Sequence, residues 1–66
     1  MKTFITFEIK YGDNEYDCKT HDIVVTATGN ETIEQTIELF NTKGFWVDKV
    51  WISPYRIMQV QVKSMN

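Results

Sequence analysis

"GFWVDKVWISPYR", residues 44–56, carries four aromatic residues, among them both of the chain's tryptophans. Whether it is core or surface decides how the sheet is built. β-Branched and aromatic residues dominate it, which predicts a strand over residues 46–53. Side chains alternate along a strand, so Asp48, Val50 and Ile52 oppose Val47, Lys49 and Trp51. Burying Val50 and Ile52 sends Lys49 and Trp51 to the other face. The reverse choice would bury a lysine at a desolvation cost that no partner offsets. Phe45 reads as core, closing its end beside Phe40, and Trp46 is left open to either side. Residues 53–56, with Pro54 in second position, predict a turn.

Upstream, residues 28–44 change period. Ile33, Ile37 and Phe40 recur at the spacing of one helical face. Thr28 or Asn30 can cap the start, and Glu31 and Glu34 suit the positive end of the helix dipole. Lys43 followed by Gly44 is a stop signal, with Gly44 in the left-handed cap position. The expected helix runs from about residue 30 to 43, with one apolar stripe.

The flanking segments alternate with period two. "TFITFEIKY" (3–11) sets Ile5, Phe7 and Ile9 against Phe4, Thr6, Glu8 and Lys10. "GDNEYD" (12–17) predicts a turn. "HDIVVTAT" (21–28) predicts a second strand with Ile23, Val25 and Ala27 on one face, residues 16–20 continuing it or carrying a bulge. These two strands form an antiparallel hairpin. "IMQVQVK" (57–63) predicts a last strand, with Met58, Val60 and Val62 opposed to Ile57, Gln59, Gln61 and Lys63. The order is β-β-α-β-β. A helix with one apolar stripe beside four half-apolar strands implies a two-layer α+β domain, the helix on one face of a four-stranded, mostly antiparallel sheet. At 66 residues the chain is long enough for one domain. The uncovered face is expected to carry Phe4, Lys10, Lys49, Trp51, Ile57 and Lys63, while acidic charge gathers on the first hairpin and the helix.

The net charge of −2 lacks the basic excess of a generic nucleic-acid binder. No apolar run approaches the ~20 residues of a membrane span, and the N-terminal segment lacks the apolar block of a signal peptide. Cys18 is the only cysteine, so no intrachain disulfide forms, and a cytoplasmic setting is expected. His21 is the only histidine, which excludes a four-ligand Cys/His zinc site. Cys18 and His21 fall on opposite faces of a strand and read as a small buried thiol and a surface histidine. Asp13, Glu15, Asp17 and Asp22 read as a solvated turn. A calcium loop would need a glycine within it and a closing glutamate. No metal or other cofactor is expected, and with no activated nucleophile, no enzyme.

The expectation is therefore a small acidic protein-binding module. Its size and acidity suit the inhibitors and adaptors that phages and mobile elements carry, anti-CRISPR proteins among them, which dock on host-defence or nucleic-acid-processing complexes. The residues expected to meet the partner are Trp51, Lys49, Tyr55, Arg56 and Phe4, with the acidic Asp13, Glu15 and Asp17. The runner-up is a single-stranded nucleic-acid binder, with Trp51, Phe4 and Tyr55 stacking on bases and Lys10, Lys49, Arg56 and Lys63 on phosphates. A homodimer formed by open faces or edge strands is compatible with the first reading.

Overall fold

A computed structural model describes residues 2–29 and 31–66. Its elements are β1 (Thr3–Asn14), β2 (Asp17–Ala27), α1 (Glu31–Lys43), β3 (Phe45–Val47), β4 (Val50–Ile52), a 3₁₀ turn (Pro54–Arg56) and β5 (Ile57–Met65). The class is α+β: one helix, a three-stranded antiparallel sheet in the order β2-β1-β5, and a separate two-stranded sheet of β3 and β4.

β1 is the central strand, and its alternation builds the core. Ile5, Phe7, Ile9 and Tyr11 all face inward and are buried. α1 lays its stripe on them: Phe40 is buried, with Ile33 and Ile37 packed beside it. The Phe40 ring meets Phe7 edge-on at 5.8 Å between centroids. At the helix start the Thr28 amide donates to the Thr32 hydroxyl at 3.3 Å, and the Thr32 amide to the Gly29 carbonyl at 3.1 Å. Asn30, the other cap candidate, lies outside the described residues. At the helix end the Gly44 amide donates to the Phe40 carbonyl at 3.1 Å, with Gly44 at φ 76°, which is the left-handed stop the sequence signals.

The β1–β2 hairpin turns more tightly than residues 12–17 suggest. The Asn14 side chain accepts from the amides of Tyr16 and Asp17 at 2.8 and 2.9 Å, so the chain reverses at Glu15 and Tyr16. Gly12 sits at φ 153° where the register shifts, and a Cβ there would strike the Asp17 carbonyl oxygen.

The single strand over 46–53 is corrected to a hairpin. Asp48 and Lys49 form a two-residue turn, with Asp48 at φ 54°, a conformation aspartate tolerates better than most residues. Folding back pairs Phe45 with Ile52, which lets both enter the core while the charged Asp48 and Lys49 stay in water. A continuous strand could bury only one face of this segment. Val50, expected in the core, is exposed near the tip. The four-stranded sheet therefore gives way to three strands plus this hairpin.

Register shifts in the β1–β5 ladder also correct the last strand. Tyr11 pairs with Ile57 but Lys10 pairs with Gln59, so Met58 is an extra residue. The bulge turns Ile57 toward the core side, where it packs against the buried cluster, and leaves Met58 exposed. A second bulge at Lys63 follows from the pairs Phe7–Val62 and Thr6–Ser64.

Candidate interaction surface

On an antiparallel ladder, directly opposed residues share a face. Trp46 opposes Trp51, so both indoles stand on the outer face of the β3–β4 hairpin, 63% and 50% exposed. The inner face carries the buried pair Phe45 and Ile52. Phe45 anchors the hairpin: its ring lies 5.3 Å from Tyr11 and 6.2 Å from Phe40, both edge-on, and 6.2 Å from His21 in a stacked arrangement. His21 thus belongs to the half-buried margin of the core, not to the surface, because it opposes Ile9 on the inward side of the sheet. Cys18 is half-buried and its thiol donates to the Glu15 carbonyl at 3.5 Å.

The hairpin is also fastened to the helix. The Trp51 Nε1–H donates to the Lys43 carbonyl at 3.0 Å, using an acceptor that the helix end leaves free. Gly44 makes this approach feasible: a Cβ there would strike the Ile52 carbonyl oxygen and lie 3.0 Å from Trp51 Nε1. One turn up the helix from Lys43, Leu39 is exposed beside a shallow groove that Gln35, Glu38 and Thr42 also line.

A cleft of about 330 Å³ separates the two hairpins, lined by Tyr11, Asp17, Cys18, Val47, Val50 and Arg56 among others. Arg56 Nε lies 3.4 Å from Asp13 Oδ1, which ties the 3₁₀ turn to the end of β1. Tyr55, in the same turn, is 96% exposed. Lys49 is exposed at the hairpin tip, and Glu15 and Asp17 are exposed at the tip of the first hairpin. The fold thus brings Asp17 and Arg56 to one cleft, with Asp13 paired to Arg56. Phe4 stands apart, roughly 30 Å along β1 from Asp13 at ~3.4 Å per residue.

The uncovered sheet face differs from the sequence expectation in composition. Trp51 and Lys49 belong to the separate hairpin and Ile57 to the core side. Around Glu8, Asp22, Gln61 and Lys63 the face is a polar lattice, with Phe4 and Val24 exposed beyond it. Lys63 Nζ lies 2.8 Å from Asp22 Oδ2 and 3.9 Å from Glu8 Oε2, while Gln61 Nε2 donates to Glu8 Oε1 at 2.9 Å. The hydrogen bond to Asp22 and its charge raise the Lys63 ammonium above its ordinary value. The expected separation of lysines from carboxylates is therefore absent here: Lys63 is neutralised in place, as is Arg56 by Asp13.

Among the described residues no group of three or more His, Cys, Asp and Glu side chains is placed to hold a metal ion, and no helix is long and apolar enough to cross a membrane. Trp46 is the surface residue the sequence reading left undecided. Its signal is the near-palindrome W-V-D-K-V-W at residues 46–51, which folds Trp onto Trp and Val onto Val about a two-residue turn. Comparison with protein-family models, with curated proteins and with solved structures finds no match.

Proposed function

We propose that this chain is a protein-binding module that acts by docking, with the Trp46–Trp51 face of the β3–β4 hairpin as the centre of its contact. The observation that carries this reading is the exposure of both tryptophans, directly opposed on a hairpin anchored in the core through Phe45 and bonded to the helix end through Trp51. Interface energy concentrates in a few aromatic anchors, and anchors already ordered before binding lose little entropy when a partner covers them. The exposed carboxylates of Glu31, Glu34 and Glu38 favour a partner with basic charge around an apolar site. Within this class we favour an inhibitor or adaptor of the phage or mobile-element type, acting on a nucleic-acid-processing or host-defence complex. Small size, acidity and an outward aromatic pair support that choice.

The single-stranded nucleic-acid reading is the weaker one. It needs aromatic and cationic side chains on one platform, yet Trp51 lies off the open sheet face, and Lys63 and Arg56 are already paired with carboxylates. The test is affinity capture from lysate of the native cells, comparing wild type with Trp46→Ala and Phe4→Ala. A partner retained by Phe4→Ala and lost with Trp46→Ala supports the reading. A partner retained by Trp46→Ala overturns it.

A further inference from the structure

The two edges of the main sheet are built differently. β5 carries two bulges, at Met58 and Lys63, which bend its edge out of register for any added strand. β2 pairs with β1 without interruption from Cys18 to Ala27, and its outer edge faces no strand among the described residues. It contains no proline, and it includes Ile23, Val24, Val25 and Thr26, four consecutive β-branched residues. Val24 stands 61% exposed on the open face, diagonal to Phe4, which is 47% exposed.

We propose that β2 pairs with β2 of a second copy of this chain, antiparallel, about a two-fold axis that passes at Val24. The sequence is self-complementary in this register. Val24 meets the second copy's Val24, which covers the exposed aliphatic group. Ile23 opposes Val25 on the core side, extending two half-buried side chains into a shared apolar strip. Asp22 opposes Thr26, so no carboxylate faces its own copy. Shifting the axis to Asp22 would set two carboxylates directly opposite, a destabilising arrangement. Asp22 is moreover held by Lys63 from two strands away, so little net charge remains at this edge. The paired segment, residues 21–27 of each copy, runs about 24 Å. It would convert two three-stranded sheets into one of six strands and add burial that a small core lacks. The proposal rests on β2 alone and is independent of the tryptophan surface.

Sedimentation up to about 1 mM should show a concentration-dependent dimer. Val24→Lys should weaken association at least tenfold with an unchanged circular dichroism spectrum, because the side chain is exposed in the single chain. Gln59→Lys, on the opposite edge, should leave association unchanged. In a Cys18→Ser background, Val24→Cys should form a disulfide-linked dimer on mild oxidation at least tenfold faster than Thr26→Cys. A monomer at every concentration overturns the proposal. So does a dimer that Val24→Lys leaves intact, or faster cross-linking through Thr26→Cys.

Discussion

The indole of Trp51 donates a hydrogen bond to the backbone carbonyl of Lys43 at 3.0 Å, joining the hairpin to the last residue of the helix. A residue that alternation marks as merely outward is thus also a structural clasp. Its ring edge is occupied by the fold, and its exposed remainder stands beside Trp46.

Trp51→Phe keeps an aromatic ring but removes the donor, and should destabilise the chain by about 1 kcal/mol. Trp46→Phe removes no such bond and should stay within ~0.5 kcal/mol of wild type. Urea denaturation of both variants checks the ranking. Equal effects would mean that the clasp contributes nothing.

Gly44→Ala places a side chain at φ 76° and against the Ile52 carbonyl, so it should cost more than about 1 kcal/mol. Gly29 has open space around it, and Gly29→Ala should be neutral or stabilising by up to ~1 kcal/mol. The pair, measured by thermal melting, separates a conformational requirement from a general effect of losing glycine.

Phe45→Ala removes a ring that touches Tyr11, Phe40 and His21. Such deletions cost ~3–5 kcal/mol, and a core of this size rarely supplies more than about 3–5 kcal/mol in total. The variant should be largely unfolded at room temperature by circular dichroism. A cooperative melt close to that of wild type would show that the hairpin is not anchored through Phe45.

Lys63 is raised above its ordinary value of 10.5 by the hydrogen bond and charge of Asp22. A raised folded-state value stabilises the fold fully below the ordinary value and stops doing so as pH climbs through the higher one. Between neutral pH and 10.5 the stability difference between wild type and Lys63→Met should therefore hold steady, closing only above that range. A difference that disappears nearer neutrality would contradict the pairing.

Mixed single-stranded oligonucleotides at low salt should leave the tryptophan fluorescence unchanged up to about 50 µM, a range that captures much ordinary non-specific binding. Saturable quenching would revive the nucleic-acid reading.

Much of this architecture is legible in the sequence because local rules act alone there. Ile5, Phe7 and Ile9 follow strand alternation, Ile33, Ile37 and Phe40 follow helix periodicity, and Gly44 ends the helix by its own conformational freedom. Alternation misleads where the chain breaks its own period. Asp48 and Lys49 carry neither the Asn-Gly nor the Asp-Gly signature of a two-residue turn, so residues 46–53 look like one strand. Met58 shifts the phase of β5 by one residue, so Ile57 and not Met58 joins the core. The pairing of Lys63 with Asp22 spans 41 positions in sequence and depends on strand order, which no local pattern specifies.

Equilibrium titration of the captured partner tests whether Trp46 anchors the contact. Trp46→Ala should weaken binding about 30-fold or more, the loss of roughly 2 kcal/mol expected for an interface anchor, while Phe4→Ala should stay within about twofold. Wild-type affinity in Trp46→Ala, with Phe4→Ala impaired, would contradict the account and move the docking surface to the open face of the sheet.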